Sequence, residues 1–212
     1  KITNGDFNFN KINMEENKEV KLKKKIVLRQ KKDIAAFTFN GLLKVKCSWE
    51  EGGVSSDLDL CLFFKRKDGQ VGGVFAKEYR QKKSDEGCLS EFPFMLHKGD
   101  VKSSPDSPLA EEQINIASLN DIDTAYVCVL AYDAARNGEE VSFAGCNGKV
   151  ELMSDSGDYL EVPIDTDKSG HLYLICTIKN ENGINSVMNE GNIMDLSTAY
   201  NKIPAFSFIC EE

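Results

Sequence analysis

The sequence is poor in histidine and has no paired cysteine motif. Among its 212 residues only His97 and His171 are histidines, and none of the seven cysteines forms a Cys-x-x-Cys pair. These features argue against a zinc site of the usual Cys/His spacing. An odd number of cysteines, most of them in apolar segments, indicates buried thiols in a reducing compartment, so we expect a cytoplasmic protein.

Sequence features that would indicate a membrane span, a secretory signal or a catalytic site are also absent. No apolar run approaches the length that spans a bilayer, and residues 1–30 are too polar for a secretory signal. No glycine-rich phosphate-binding loop follows a predicted strand. The two histidines stand apart from any nucleophile that they could activate, and each is expected at the surface or in a turn. We therefore expect a protein that is not an enzyme.

Charge is abundant but unevenly distributed. The chain has 26 Lys and Arg against 34 Asp and Glu, a formal net charge of −8. Residues 18–32 (KEVKLKKKIVLRQKK) are strongly basic, whereas residues 100–165 are rich in acids. A basic patch on an acidic body would attract nucleic acid. Lysines on the solvent face of an edge strand explain the same pattern, and we favour this interpretation, with no nucleic-acid partner.

The pattern of apolar residues predicts strands along most of the chain. In residues 43–49 (LKVKCSW) apolar side chains alternate with polar ones, as in a strand with one buried face. Residues 125–132 (AYVCVLAY) are apolar on both faces, which indicates a central strand of a covered sheet. Further strands are predicted at residues 71–75, 114–116, 141–146, 149–153, 159–164, 171–178 and 205–210.

Short strands separated by turns are typical of a two-sheet β-sandwich. Asp-Gly and Asn-Gly pairs predict tight turns at residues 68–69, 137–138, 147–148 and 182–183. Helical patterns are few and short, at residues 77–83 and 195–202. We predict an all-β fold in which residues 20–212 form a single domain and residues 1–19 form an N-terminal arm.

Two carboxylates begin one of the apolar strands. In GGVSSDLDLCLFF (residues 52–64) Asp57 and Asp59 share one face of the predicted strand, and the leucines that alternate with them share the other. Like charges so close repel unless they are solvated or joined by a cation. A second acidic segment, residues 100–114, follows a predicted turn, and calcium takes about six to eight oxygens from such loops. Two explanations of the paired acids therefore stay open: a solvated strand end and a bound calcium ion.

These segments resemble the TerD family of bacterial tellurium-resistance and stress proteins. SDLDL (residues 56–60) is similar to the D-L-D strand start of the family. HKGD (97–100) followed by EEQI (111–114) is similar to its H-x-G-D-N…D-D-E-x-I segment. DID (121–123) and YDA (132–134) resemble the segments that flank its next strand. The resemblance extends from about residue 25 to the C-terminus.

The resemblance implies a β-sandwich and a calcium site. Carried onto this chain, the family's ligand positions fall on Asp57, Asp59, Asp100, Glu111 and Glu112. The chain departs from the family in the loop of residues 101–110, where valine, two prolines and an alanine replace asparagine, glycines and an aspartate. The resemblance also implies a stress-response role with other stress-response proteins as partners.

Two functions from different classes follow from these patterns. The first is a non-enzymatic, TerD-like stress-response module that binds calcium through its acidic strand end and loop. The second is a metal-free protein–protein interaction domain whose acidic and basic surfaces contact partners electrostatically. Another calcium-like string, DTDKSG at residues 165–170, lacks the glutamate that completes an EF-hand loop and is better explained as a turn.

The only tryptophan, Trp49, tests the predicted core. It is expected to share that core with Val127, Val129 and the phenylalanines of the strand predicted at residues 205–210. The fluorescence maximum of the native protein should therefore lie to the blue of solvated indole and move to the red in denaturant. An emission spectrum that matches free indole and does not change on denaturation would contradict this core assignment.

Overall fold

Two β-sheets packed face to face account for most of the described chain, which confirms the predicted all-β sandwich with few short helices. The computed structural model describes residues 25–50, 57–101, 109–155 and 158–210. The predicted arm, residues 1–19, lies outside these ranges, so the division between arm and domain stays a prediction. No helix within them is long and apolar enough to cross a membrane.

Strands and helices are numbered in chain order. The seven-stranded sheet consists, in spatial order, of β1 (Lys25–Val27), β12 (Tyr159–Pro163), β11 (Lys149–Ser154), β3 (Leu43–Glu50), β8 (Leu109–Ile116), β7 (Met95–Val101) and β6 (Gly87–Cys88). The six-stranded sheet consists of β2 (Ile34–Phe37), β15 (Ile184–Met194), β14 (Leu172–Glu181), β9 (Ile122–Leu130), β4 (Asp59–Arg66) and β5 (Val71–Val74). A small pair is formed by β10 (Val141–Ser142) and β13 (Ser169–Gly170), and the α-helices are α1 (Tyr132–Arg136), α2 (Leu196–Lys202) and α3 (Ser207–Cys210).

Hairpin turns set the register between neighbouring strands. In the β14–β15 hairpin Asn182 and Gly183 have φ values of 53° and 82°. Positive φ at both central residues is the geometry of a type I′ turn, which fits the twist of two antiparallel strands. The predicted turn at residues 182–183 is confirmed, and it places Asn180 opposite Asn185 in the ladder.

The two sheets enclose one central hydrophobic cluster. Leu43, Val45 and Trp49 alternate along β3 and are buried, Trp49 being 2% exposed. Val127 and Val129 of β9 belong to the same cluster. The predicted core contacts of these residues are therefore confirmed.

A second hydrophobic cluster covers part of the outer face of the six-stranded sheet. Cys128 and Leu130 belong to it, whereas Val127 and Val129 face the central cluster. Residues of α2 and α3 pack over this face. Because β9 also lies between β14 and β4, the prediction of a central strand covered on both faces is confirmed.

The segment of residues 205–210 differs from its prediction. The sequence predicts a strand in the central core, but residues 207–210 form α3. Phe206 packs in the second cluster against Phe63, with ring centroids 5.8 Å apart. The predicted strand is wrong because a short apolar run fits a buried strand and a covering helix equally well.

The other predicted elements are present, some of them shortened. Residues 71–75, 114–116, 149–153, 159–164 and 171–178 fall in β5, β8, β11, β12 and β14. Of residues 141–146 only β10 is a strand, and residues 77–83 contain a 3₁₀ turn at Lys77–Tyr79. The helix predicted at residues 195–202 is confirmed as α2, where the Asp195 carboxylate caps the helix by accepting the Thr198 N–H at 2.6 Å.

The described part of the basic segment contains an edge strand. β1 is the outermost strand of the seven-stranded sheet, as the lysine pattern predicts. The Lys25 ammonium lies 3.2 Å from the Glu161 carboxylate, and that of Lys32 lies 2.5 Å from Glu190. These acidic partners reduce the positive potential that the two lysines offer to a polyanion.

Candidate functional site

The acidic end of the sandwich is the end at which β4 begins and β9 finishes, since Asp59 pairs with Leu130. Leu58 and Leu60 are buried in the central cluster, as the alternating pattern predicts. Asp57 is exposed and Asp59 is half-buried. The polar residues thus lie where the chain enters the core.

Asp57 lines an open cavity of about 310 Å³, termed here the acidic cavity. Asp133, Glu139 and Glu140 also line it, together with Asn137. They belong to α1 and to the segment that follows it. Of the three acidic residues, only Asp133 lies in a motif quoted from the sequence, YDA at residues 132–134. No local sequence pattern connects Glu139 and Glu140 with Asp57. They come near one another only because of where α1 lies in the fold.

Glu111 and Glu112 lie on opposite faces of β8. Glu112 is buried, as are Ala110 and Ile114, which alternate with it. Glu111 is half-buried on the outer face, where its carboxylate lies 3.3 Å from the Lys46 ammonium. Successive side chains of a strand point to opposite faces, so these two predicted ligands are separated.

Glu112 reaches across the interior to the other sheet. One of its carboxylate oxygens accepts a hydrogen bond from the backbone N–H of Leu60 in β4. The same oxygen lies 3.5 Å from Nε2 of His97, and that nitrogen lies 3.1 Å from the Leu60 carbonyl oxygen. All three groups are buried. We term this arrangement the Leu60 bridge.

The Leu60 bridge satisfies a strand edge that no other strand of the described residues pairs with. β5 pairs with β4 only from Leu62 to Lys65. The N–H and carbonyl of Leu60 therefore extend past the end of β5, on the side away from β9. A buried backbone group without a partner is costly, and here Glu112 supplies the acceptor and His97 the donor.

The position of His97 corrects the sequence analysis, which expects a surface or turn histidine. His97 lies within β7 and is buried. Its Nδ1 accepts the N–H of Gly99 at 3.0 Å, so the neutral ring carries its proton on Nε2, which faces Leu60. Gly99 has a φ of 80°, a left-handed value that suits glycine, and the strand register shifts between His97 and Asp100. The HKGD segment is thus a bulged strand.

Asp100 resumes the pairing of β7 with β8, opposite Glu112. The loop of residues 102–108 lies outside the described ranges. Within those ranges no three Asp, Glu, His or Cys side chains are grouped so that they could hold a metal ion. Calcium binding by the predicted ligands therefore stays a prediction, and the acidic cavity is the place where Asp57 lies near other acidic residues.

The cysteines offer no accessible nucleophile in the core. Five of the seven are buried, as predicted, and none forms a disulfide. Burial raises the pKa of the Cys47, Cys61 and Cys128 thiols well above the usual range. A thiol with a raised pKa stays protonated at neutral pH and is a poor nucleophile.

Comparison with known proteins leaves the family open. The chain matches no protein-family model, and no curated protein is significantly similar to it. The resemblance to TerD proteins thus depends on the segments quoted above, and any function drawn from it is a proposal.

The Leu60 bridge predicts that substitutions of the neighbouring Glu111 and Glu112 differ in their effect on stability. Replacing Glu112 with alanine is expected to lower the free energy of unfolding by about 3 kcal/mol, because it leaves the Leu60 N–H buried without an acceptor. Glu112→Gln keeps an acceptor oxygen and should cost less. Urea denaturation measures both. Glu111→Ala is the matched control and should cost under about 1 kcal/mol, since its ion pair is partly exposed. Equal losses for Glu111→Ala and Glu112→Ala would contradict the assignment.

The outer face around Glu111 carries a network of charges. The Lys46 ammonium lies 3.3 Å from both Glu111 and Glu151, and that of Lys149 lies 3.1 Å from Glu151. The Tyr159 hydroxyl donates to Glu151 as well. Burial alone would raise the pKa of Glu151, but the hydroxyl and the two ammonium groups outweigh it and lower the pKa below its usual value of 4.5.

This lowered pKa predicts how stability depends on pH. A carboxylate whose pKa is lower in the folded state stabilises the fold above its unfolded pKa, and the contribution is lost as the pH falls through the folded pKa. The difference in melting temperature between wild type and Glu151→Gln should be constant from neutral pH down to about pH 5 and should narrow below pH 4.5. Thermal melts across this range test it, and a difference that widens in acid would contradict it.

Proposed function

We propose that this protein is a non-enzymatic binding module of the TerD type whose acidic end binds calcium. The observation that carries the proposal is the acidic cavity, which Asp57 of the SDLDL segment shares with Asp133, Glu139 and Glu140. Carboxylates that share a cavity repel one another, and a divalent cation relieves that repulsion. The net charge of −8 favours the approach of a cation.

Calcium suits the acidic cavity better than a transition metal does. Its side-chain donors are carboxylates and one amide, without histidine or cysteine. Hard, oxygen-only donor sets select calcium or magnesium over zinc and copper. Calcium accepts irregular shells of about six to eight oxygens, so backbone carbonyls and water can complete a shell to which few carboxylates contribute.

A metal-free interaction domain is the second candidate. Two observations favour it: Glu112 is already bonded to Leu60, and Glu111 is paired with Lys46. With these two occupied, the remaining carboxylates of the acidic end would attract a basic surface of a partner protein.

The stress-response role is inferred from the resemblance, and the cellular location is inferred from the cysteine thiols. Resemblance to TerD proteins is the support for a stress-response role and for partners among other stress-response proteins. The seven cysteines are free and most are buried, which is typical of proteins from reducing compartments. On this ground we propose a cytoplasmic location.

Calcium titration of the full chain, followed by thermal melting, tests the proposal. A ligand that binds only the folded state stabilises it by about 2.7 kcal/mol at 100 times its Kd. We expect calcium to raise the melting temperature of the wild type. The double variant Asp57→Asn, Asp133→Asn should lose this response. In calcium-free buffer it should melt no lower than wild type, because two repelling charges are removed.

Glu181→Gln is the matched control, since it removes one exposed carboxylate at the opposite end of the sandwich, in the β14–β15 hairpin. It should keep the full calcium response. A wild type that ignores millimolar calcium, or a double variant that responds like wild type, would overturn the calcium proposal. The metal-free interaction domain would then be the better explanation.

A further inference from the structure

The edge strands of the two large sheets differ in how well they are protected from pairing with another strand. In the described ranges these strands are β1, β6, β2 and β5. β1 carries Lys25, a charged residue of the kind that discourages strand pairing, and β6 has only two residues. Next to β5 lies the 3₁₀ turn Lys83–Glu86, where the Asp85 carbonyl accepts the Phe75 N–H at 3.0 Å. β2, Ile34–Phe37, has neither a charged residue nor a proline.

One side of β2 pairs with β15, and no strand of the described residues pairs with the other side. The Asp33 carbonyl accepts the Asn189 N–H of β15 at 2.9 Å. Backbone groups of successive residues point to alternate sides of a strand, so those of Ala35 also face β15 and those of Ile34 and Ala36 face away. We term these two N–H and two carbonyl groups the free edge of β2.

The side chains along the free edge are exposed and apolar. Ile34 is 57% exposed, although isoleucine is among the residue types that are most often buried. Ala36 is exposed as well, whereas Ala35 and Phe37 pack against or within the central cluster. An uncharged strand edge with exposed apolar side chains is the kind of edge that pairs with another strand.

The charges near β2 are engaged within the chain. The Lys32 ammonium lies 2.5 Å from the Glu190 carboxylate, and the Asp33 carboxylate accepts a backbone N–H at 2.8 Å. On the outer face of the same sheet the Lys179 ammonium lies 2.5 Å from the Glu181 carboxylate. Because these charges have partners of their own, they present little repulsion to an identical strand.

The free edge of β2 is complementary to itself. An antiparallel copy, related by a two-fold axis beside Ala35, brings Ile34 opposite Ala36 of the partner subunit. Each such pair exchanges two N–H···O bonds, so every backbone group of the free edge is satisfied. The two Ala35 residues then form the non-hydrogen-bonded pair at the axis, where Cα atoms lie about 4.5 Å apart. Alanine is small enough to allow this approach.

A folded strand suits the free edge better than a flexible peptide does. Only Ile34 and Ala36 offer backbone groups, so few hydrogen bonds are available to offset the entropy that a flexible segment loses on binding. A second copy presents a strand that is already ordered and therefore loses less. It also covers Ile34, which lines an open groove of about 240 Å³ with Met188 and Tyr126 on the outer face.

We propose that this protein forms a dimer in which the free edges of two β2 strands pair antiparallel about a two-fold axis. The result is one sheet of twelve strands, six from each copy. The same surface is used on both copies, so the contact closes on itself and does not lead to a filament. The acidic cavity contains no residue of β2, so the proposal does not depend on calcium.

Sedimentation velocity and amide hydrogen exchange of the full chain, both in calcium-free buffer, test the proposal. A species of twice the monomer mass should form as the concentration is raised to about 1 mM. The amides of Ile34 and Ala36 should become more protected from exchange as this species forms. The Ala35 amide, which faces β15, should be protected at every concentration.

Substitutions on the free edge separate this contact from others. Ile34→Lys should raise the dissociation constant of the dimer by about tenfold or more, because it places a charge in an apolar strand contact. Ala36→Lys is a second variant with the same expected effect, since both side chains are exposed. Ile184→Lys is the matched control, because Ile184 is 67% exposed on the neighbouring strand β15 but lies outside the free edge. It should dimerise as wild type does.

Three results would overturn the proposal. The first is that the full chain stays monomeric up to about 1 mM. The second is that Ile34→Lys and Ala36→Lys dimerise as tightly as wild type. The third is that exchange at the Ile34 and Ala36 amides does not change with concentration. Rapid exchange throughout would assign a dimer contact to another surface, and protection throughout, in a monomer, would assign the free edge to a segment of the same chain.

Discussion

The Leu60 bridge is the contact on which the acidic end of the sandwich depends. β4 extends past β5, so the backbone N–H and carbonyl of Leu60 enter the interior with no strand of the described chain paired to them on that side. Each such group costs about 1–3 kcal/mol if it is left unsatisfied. Glu112 and His97 of the facing sheet supply the missing acceptor and donor. Two polar side chains are thereby retained inside a largely apolar core.

This contact also separates a carboxylate that is bonded within the fold from those that line the acidic cavity. The pairing of Asp59 with Leu130 places the start of β4 beside the end of β9, which brings Asp57 to the cavity shared with Asp133. Glu112 serves the backbone, and Glu111 serves the charge network of the outer face. We infer that a ligand at this end would use the carboxylates of the acidic cavity.

The sequence predicts the sandwich well because strand periodicity is a local signal. Alternation along β3 and apolar faces along β9 are visible in any short window. The roles of His97 and Glu112 are not visible in a short window, because their partner Leu60 is 37 and 52 residues away in the chain, respectively. Alternation along a strand would place Glu111 and Glu112 on opposite faces. The strand predicted from the sequence, however, starts only at residue 114 and does not include them. The acidic cavity joins distant segments of the chain, which periodicity does not connect.

Hydrogen exchange at the Leu60 amide tests the central claim most directly. If the Glu112 carboxylate holds this N–H inside the core, the amide should exchange only through global unfolding, with a free energy equal to that from urea denaturation. In Glu112→Ala the Leu60 amide should exchange faster than global unfolding of that variant allows. Rapid exchange of the Leu60 amide in the wild type, at the rate of an exposed strand edge, would contradict the account.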